Sequence, residues 1–293
     1  MRLTDQTLLD EDYRYCEDII KQNSKSFYFA FLGLPKEKAN AVYAIYAFCR
    51  SADDSVDLGG TRSEKINAWN RISQELSLFQ AYKEIDHPLW RALRDVFNRY
   101  EMDIQPFFDQ LEGQRRDIDF SIPQTMSQVE EYSYYVAGTV GLMLLPIIAS
   151  ESEQDLTQQA ISLGVAMQIT NILRDVGEDY RKNNRIYLPL YEMESESYTE
   201  EDIKQARINM GFIRIWEKMA SRAEALFDDF QEEIRYFDKD SQFQVLLSAR
   251  LYRGILNAVR DNEYDCFFKK NFISPMKMQQ IQQEIKVFAS AST

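Results

Sequence analysis

The chain has 293 residues, of which 45% are hydrophobic, and its formal net charge at pH 7 is −13. This length suits one large domain or two small ones, and the apolar content is sufficient for a sizeable core, which excludes a disordered chain. With only 10 glycines and 7 prolines, the composition excludes collagen-like chains and disfavours turn-rich all-β folds, while the acidic balance argues against a nucleic-acid-binding protein.

Apolar residues recur mostly at intervals of three and four, which is the period of an amphipathic helix. In chain order, the pattern predicts helices over residues 10–23, 35–58, 62–83, 88–100, 105–120, 127–149, 154–178, 199–238, 241–264 and 275–289. No repeat or flexible linker interrupts this series. The sequence therefore predicts an all-α fold with a single domain over residues 1–293.

Helix-start signals support several of these boundaries. They are Pro35, Pro88 and Pro275 in first-turn positions, and two capping-box pairs, Ser127 with Glu130 and Thr199 with Asp202. His87 is the only histidine and directly precedes a proline. We predict a structural role for it, so nucleophilic catalysis by a Ser–His or Cys–His pair is not expected.

The cysteines and the apolar stretches bear on the cellular compartment. Cys16, Cys49 and Cys266 are far apart and have no metal-ligand spacing, which is typical of reduced thiols in the cytosol. The acidic start of the chain does not resemble a signal peptide. The longest apolar stretch, residues 136–149, is shorter than the roughly 20 residues that span a bilayer and is predicted to be a core helix. These features predict a cytoplasmic protein.

The first candidate site is an acidic helix face at residues 50–57. Asp53 and Asp57 are four residues apart, and Arg50 precedes Asp53 by three, so all three share one face of the predicted helix. The residues before Arg50 are too apolar for an exposed helix, so this face is expected to line an enclosed volume. Carboxylates there are costly unless a metal or another cation compensates their charge.

The second candidate site lies in residues 164–179. Its polar residues Gln168, Asn171, Asp175 and Asp179 fall at i, i+3, i+7 and i+11, which is one stripe of a helix. Arg174 lies beside this stripe. Either acidic cluster alone is typical of a solvated helix face with ion pairs. The two together, each with an arginine and apolar neighbours, favour a functional site.

Two helices that carry carboxylates and arginines suit diphosphate chemistry. Oxygen ligands select Mg²⁺ over zinc or copper, and Mg²⁺ binds through one or two carboxylates plus water and phosphate oxygens. Arginine would bind a diphosphate in bidentate fashion. The aromatic-rich helices would hold a hydrocarbon and stabilise a carbocation with their π faces.

At these residues the sequence resembles the squalene and phytoene synthase family. Residues 46–57 and 164–179, the latter followed by residues 184–189, match the two aspartate-rich signatures of that family. Further similarity lies at residues 24–27, 132–141 and 249–252 and at Tyr264, in family order along nearly the whole chain. The resemblance implies an isoprenoid synthase fold, with helices around a central hydrophobic cavity.

The resemblance also implies roles for individual residues. Those implied to hold Mg²⁺, with about three ions per active site, are Asp53, Asp57, Asn171, Asp175 and Asp179. Those implied to contact diphosphate groups, or water around them, are Ser24, Ser26, Arg50, Gln168, Arg174, Arg185, Tyr187 and Tyr252. Phe27, Phe31, Tyr43, Tyr46 and Val136 are implied to contact the substrates, and Tyr132 the reacting carbons.

Two departures from the family pattern affect the implied diphosphate contacts. The segment between Asp179 and Arg185 is one residue longer than the family pattern, and Lys269 stands where that pattern has an arginine in a C-terminal diphosphate clamp. Lysine keeps the positive charge but loses the bidentate fork of arginine.

The chemistry implied for this chain joins two farnesyl diphosphate molecules in two stages. Ionisation of one molecule gives an allylic cation, which the second captures to form the cyclopropane presqualene diphosphate. The second diphosphate then leaves, the cation rearranges, and loss of a proton gives dehydrosqualene (4,4'-diapophytoene), a carotenoid precursor. Farnesyl diphosphate is expected because the bulky Phe31 and Tyr43 resemble the aromatic floor of the family members that use it.

Several alternatives stay open. With a longer cavity the chain would be a phytoene synthase that uses geranylgeranyl diphosphate, and the reaction could also stop at presqualene diphosphate. The squalene route needs NADPH, which is not expected here because the sequence has no glycine-rich nucleotide motif. A non-catalytic assembly protein is disfavoured because all five implied metal ligands are present. Expected partners are a downstream carotenoid desaturase and the surface of a membrane.

Overall fold

The computed structural model describes residues 3–57 and 60–291 of the chain. Its α-helices are α1 (Leu3–Asn23), α2 (Lys25–Phe31), α3 (Lys36–Asp57), α4 (Arg62–Gln80), α5 (Pro88–Arg99), α6 (Gln105–Arg116), α7 (Met126–Ser133), α8 (Thr139–Ile148), α9 (Thr157–Asn183), α10 (Leu190–Ser195), α11 (Glu200–Lys204), α12 (Met210–Glu232), α13 (Lys239–Asp261) and α14 (Pro275–Ala291). Within the described ranges no β-strand occurs. The all-α prediction is confirmed.

The backbone contacts divide the chain into two compact units. The first comprises Met1–Asp119, Thr139–Thr157 and Ile234–Ser248, and the second comprises Phe120–Gly138, Gln158–Glu233 and Ala249–Thr293. The first acidic motif belongs to the first unit and the second motif to the second unit. The expectation of one continuous domain around a central cavity stays a prediction.

Helix α3 is the central helix of the first unit. It packs against α1, α4, α5, α6 and α8, because almost every side chain between Ala39 and Cys49 is apolar and buried. Phe48 of this helix packs edge-to-face against Trp90 and Phe107, at ring-centroid distances of 6.0 and 5.0 Å. The acidic motif at its carboxyl end is therefore carried by a helix that packing holds on several sides.

Two predicted helices are interrupted. The helix predicted over residues 199–238 is wrong as one element, because α11 ends before Ala206, which has φ 51°. Asn209 then starts α12 by accepting a hydrogen bond from Phe212 N at 2.9 Å, and a 3₁₀ turn follows at Ile234–Tyr236. Residues 199–238 contain no proline that would mark a break. The spacing of apolar residues therefore predicted one continuous helix. The predicted end of another helix, at residue 58, lies outside the described residues.

The helix predicted over residues 127–149 contains a π-helical turn at Tyr134–Gly138. A close approach of two backbones accompanies this turn: a Cβ added at Gly164 of α9 would lie 2.2 Å from the carbonyl oxygen of Ala137. The predicted cap is also wrong, because Thr125, two residues before Ser127, accepts the hydrogen bond from Gln128 N. Single-turn π segments are frequent at functional sites.

Other local predictions are confirmed. Thr199 and Asp202 form the predicted capping box, and His87 is the N-cap of α5, where its Nδ1 accepts a hydrogen bond from Leu89 N at 3.2 Å. The three cysteines are buried and free of disulfides.

The short helices α2 and α10 were not predicted, because each has fewer than eight residues. Among the described residues, no helix is both long enough and apolar enough to cross a bilayer.

A buried ion pair in the first unit gives a testable stability prediction. Asp238 accepts hydrogen bonds from Lys38 Nζ at 2.8 Å, from Ser150 N and Oγ at 2.8 and 2.6 Å, and from Glu151 N at 2.9 Å. Burial alone would raise the pKa of Asp238, but the bonds from Lys38 and Ser150 outweigh it, so its pKa is lowered. This stabilisation is present above the ordinary carboxyl pKa and is lost as pH falls through the lowered pKa.

Asp238→Asn should therefore lower the free energy of unfolding by about 3 kcal/mol at neutral pH, because it leaves the Lys38 ammonium without its buried partner. The control is Asp240→Asn, since Asp240 contacts the same lysine from an exposed position and should cost less than about 1 kcal/mol. Urea unfolding followed by circular dichroism measures both. Equal effects of the two substitutions, or a difference that persists in acid, would contradict the role of the buried pair.

Candidate active site

The first acidic motif lies in the last two turns of α3. Arg50 donates from Nη2 to Asp54, one turn further along the helix, and its charge also acts on Asp53, with which it shares a helix face. The buried Nε of Arg50 has no hydrogen-bond partner among the described residues. Asp57 is exposed in the last turn. The guanidinium group of Arg50 thus keeps an unused donor beside the carboxylates.

The electrostatics of this motif are unfavourable without a further cation. Burial, and after it the negative charge of Asp57, raise the pKa of Asp53 to about 8, and the charges of Asp54 and Asp117 act in the same direction. The charge of Arg50 lowers this pKa but does not compensate. A cation at Asp53 would relieve this cost, since it favours the ionised carboxylate.

Helix α6 contributes polar groups that the sequence analysis missed. Gln114 Nε2 donates to Asp53 Oδ1, and Gln110, Gln114 and Asp117 are all buried. These three residues fall at i, i+4 and i+7, which is one helix face. The spacing of these polar residues at helical intervals was the available signal in the sequence. Gln114 therefore orients a carboxylate of the motif.

The aromatic residues predicted to contact substrate form a cluster in α2 and α3. The ring of Phe27 packs in a tilted arrangement against Phe31, at a ring-centroid distance of 4.6 Å, and against Tyr46, at 5.8 Å. Tyr43 is buried and lies 5.8 Å from Tyr28. The structure thus brings Phe27, Phe31 and Tyr46 together and places Tyr43 three residues before Tyr46 on α3. Ser24 and Ser26 lie at the start of α2.

The second acidic motif lies along α9. Arg174 donates from Nε and Nη2 to both carboxylate oxygens of Asp175, at 2.8 and 2.5 Å. Asn171 Nδ2 donates to Gln168 Oε1 at 3.2 Å, while the buried Asn171 Oδ1 has no partner in the part of the chain that is described. An orphaned buried oxygen suits a ligand that accepts electron pairs, such as a metal ion.

The residues that follow α9 lie next to its acidic stripe. Asp179, Arg185 and Tyr187 line one small pocket, in which Arg185 is buried. The hydroxyl of Tyr132 donates to that of Tyr187 at 3.2 Å, and their rings are stacked at 5.0 Å. The second unit therefore brings together four of the predicted site residues, which come from α7, α9 and the segment after α9.

The other predicted site residues have different surroundings. Tyr252 of α13 interacts electrostatically with Arg174, and Val136 lies in the π turn. Lys269 is exposed in the loop between α13 and α14, where its Nζ donates to Asn262 Oδ1 at 3.1 Å and lies 4.0 Å from Asp265 Oδ2. The clamp role of Lys269 stays a prediction.

The motifs do not form a metal cage from protein atoms alone. In the described ranges, no three His, Cys, Asp or Glu side chains converge as a metal site would require. Mg²⁺ needs no such cage, since it is usually bound by one or two carboxylates together with water and substrate phosphates. The raised pKa of Asp53 and the orphaned oxygen of Asn171 both fit an oxygen-bound cation.

Comparison with known proteins adds an independent line of evidence. The family model described as squalene/phytoene synthase matches residues 20–279. The chain is 38% identical over 279 residues to the 15-cis-phytoene synthase of Synechococcus elongatus, covering 90% of this chain and 89% of that protein. It is 32% identical over 283 residues to the 4,4'-diapophytoene synthase of Staphylococcus haemolyticus, covering 95% and 97%. The crystal structure of a dehydrosqualene synthase in complex with ligand superposes with a TM-score of 0.90 at 42% identity, covering 97% and 98% of the two chains.

Proposed function

The chain belongs to the squalene/phytoene synthase family of enzymes, and from that premise we propose that it condenses two farnesyl diphosphate molecules into dehydrosqualene. The observation that carries this proposal is the order of side chains along one face of α3. Tyr43, Tyr46, Arg50, Asp53 and Asp57 are spaced alternately by three and four residues, so they form one stripe. The aromatic end suits a hydrocarbon, and the charged end suits a diphosphate.

The length of this stripe favours a farnesyl chain. Tyr43 precedes Asp53 by ten residues, a rise of about 15 Å along the helix. This rise is close to the length of three extended isoprene units, and a fourth unit would run past Tyr43. The aromatic cluster of Phe27, Phe31 and Tyr46 lies at the same end of the stripe and would limit the space for a longer hydrocarbon chain there.

Magnesium is part of this proposal. The residues that would hold Mg²⁺ are Asp53, Asp57, Asn171, Asp175 and Asp179. When bound, Mg²⁺ neutralises the charge of a departing diphosphate. Arg50 and Arg174, each now paired with an aspartate of its own motif, would turn to the diphosphate oxygens. The clustered rings of Phe27, Phe31 and Tyr46 would exclude water from the allylic cation.

The phytoene synthase reaction is the second candidate. The 38% identity to a phytoene synthase favours it, because that relative is named for a product made from the longer prenyl chain. The two candidates share the charged end of the site and differ in the space available at the aromatic end. A comparison of activity with farnesyl and with geranylgeranyl diphosphate distinguishes the two candidates.

The test is product analysis of the purified protein with Mg²⁺ and either farnesyl or geranylgeranyl diphosphate, each without and with NADPH. We expect dehydrosqualene from farnesyl diphosphate, with no change on adding NADPH. Phytoene formed with an equal kcat/KM would overturn the choice of substrate. Squalene formed only with NADPH, or accumulation of presqualene diphosphate, would overturn the choice of product.

Gln114 gives a prediction about the magnesium dependence. Gln114→Leu removes the hydrogen bond to Asp53, so the Mg²⁺ concentration for half-maximal rate should rise about tenfold or more, as is usual when a partner of a metal ligand is lost. The control is Gln105→Leu, since Gln105 is exposed on the same helix and should leave the magnesium titration unchanged. Matching titrations for the two variants would remove Gln114 from the site.

A further inference from the structure

A short segment that precedes and enters α14 differs in charge from the rest of the chain. Residues 266–278, which we call the basic apolar loop, comprise the second part of the connection between α13 and α14 and the first residues of α14. They contain three lysines and no acidic residue, although Glu263 and Asp265 directly precede them, whereas the whole chain has 34 basic and 47 acidic residues. The loop also contains three phenylalanines, one isoleucine and two methionines. It is therefore locally cationic and strongly apolar in an acidic protein.

The apolar side chains of this loop are unusually exposed. Phe268, Phe272 and Met276 are 76%, 66% and 79% exposed, whereas the other highly exposed large apolar side chains described, Tyr82 at 78% and Met210 at 61%, lie in separate parts of the chain. Single exposed apolar residues are common, but three within nine positions form a patch that marks an interaction surface.

The loop that carries these exposed side chains is fixed to the rest of the second unit by hydrogen bonds and packing contacts. Gly177 N donates to Cys266 O at 3.1 Å, and Asn271 Nδ2 donates to Asp265 O at 2.9 Å. Phe267 is buried and stacks on Phe212 at 5.2 Å, and Ile273 packs against Gly254 of α13. Because Phe267 and Ile273 are anchored inward, their neighbours Phe268 and Phe272 are held outward in water.

The lysines of the loop have charged neighbours of both signs. Lys270 lies 3.6 Å from Glu178, and Lys269 lies 4.0 Å from Asp265, so two acidic groups face the loop. Arg181 adds a positive charge, 6.0 Å from the ring of Phe268. The backbone N of Lys277 donates to Ser274 Oγ at 3.2 Å, and its Nζ donates to the neutral Gln280 Oε1 at 3.2 Å.

From this arrangement we propose that the basic apolar loop docks the protein on the surface of an anionic lipid bilayer. Phe268, Phe272 and Met276 enter the boundary between headgroups and acyl chains, while Lys270 and Lys277 contact lipid phosphates. Apolar side chains next to lysines are the usual composition of interfacial segments, and anionic lipid attracts such lysines. A bilayer is favoured over a protein partner because exposed apolar side chains alternate with lysines along the loop, and the charge of these lysines complements anionic lipid. The inference does not depend on the substrate proposed above.

The test is flotation of the full chain with vesicles of phosphatidylcholine alone, and with vesicles of equal parts phosphatidylcholine and phosphatidylglycerol. We expect binding to the anionic vesicles that weakens with added salt. Replacing Phe268 and Phe272 together with serine should lower the partition constant about tenfold or more, since both rings leave the bilayer. Lys270→Gln with Lys277→Gln should remove the preference for anionic vesicles.

Matched controls are Tyr191→Ser, an exposed aromatic side chain elsewhere, and Lys204→Gln, an exposed lysine elsewhere. Both should bind vesicles like the unchanged protein, and circular dichroism checks that every variant keeps its helices. Several results would overturn the proposal. They are no binding of the unchanged protein, equal binding to both vesicle types, unchanged binding of the phenylalanine variant, or a dimer that the same variant dissociates without any effect on vesicles.

Discussion

Asp53→Ala and Asp175→Ala are each expected to lower turnover by about a thousandfold or more, without loss of helix content. Each substitution removes one of the oxygen ligands that we propose for Mg²⁺ from one of the two acidic motifs. Helix α3 is held by packing on several sides, and α9 has a buried apolar face, so neither helix needs its aspartate in order to form. Steady-state rates at saturating Mg²⁺ and far-ultraviolet circular dichroism measure the two effects.

The control for this experiment is Asp228→Ala. Asp228 is exposed and pairs with Arg253 on the surface, and such pairs contribute little to stability. Its turnover should match that of the unchanged protein. If Asp53→Ala and Asp175→Ala both keep near-normal rates, the acidic motifs are solvated helix faces with ion pairs and do not bind metal.

Asp53→Asn separates the catalytic from the structural role of this carboxylate. The folded-state pKa of about 8 lies above the ordinary value, so the ionised carboxylate destabilises the fold as pH rises from the ordinary pKa towards that value. In the absence of metal at alkaline pH, Asp53→Asn should therefore unfold at a higher urea concentration than the unchanged protein, while it loses activity. Lower stability of the variant under these conditions would show that the charge of Asp53 is compensated within the protein.

Phe31→Ala is expected to admit geranylgeranyl diphosphate and shift the product to phytoene. Phe31 is 2% exposed and packs on Phe27, and a closely packed interior does not stretch to take another isoprene unit. Truncation removes about the volume that one such unit needs. It should also lower the free energy of unfolding by about 3 kcal/mol, the usual cost of a large-to-small change in a core. Competition between the two diphosphates, with the products separated by chromatography, gives the ratio.

The matched control is Phe107→Ala. Phe107 is also fully buried in the first unit, against Phe48 and Phe97, so its truncation should cost similar stability and leave the product ratio unchanged. A shift in both variants would mean that general loosening, not the space at Phe31, selects the chain length. If the unchanged protein already uses geranylgeranyl diphosphate as readily as farnesyl diphosphate, the aromatic side chains do not limit the substrate.

The features predicted correctly from sequence depend on neighbours close in the chain. The all-α fold follows from a period of three to four residues, and the cap at Thr199 from a residue three positions away. The placement of Asp53 and Asp57 one turn apart on one helix also follows from local geometry. The resemblance to the family rests on motifs of the same kind, which are short runs of consecutive residues, and the comparisons confirm it.

Only the tertiary structure decided which groups meet across the chain. Gln114 reaches Asp53 from 61 positions away, and α9 has glycine at position 164 because the backbone at Ala137 lies against it. Phe268 is exposed to solvent because its neighbour Phe267 is buried against Phe212 of α12. Helical periodicity specifies a face, but packing between distant segments determines what that face contacts.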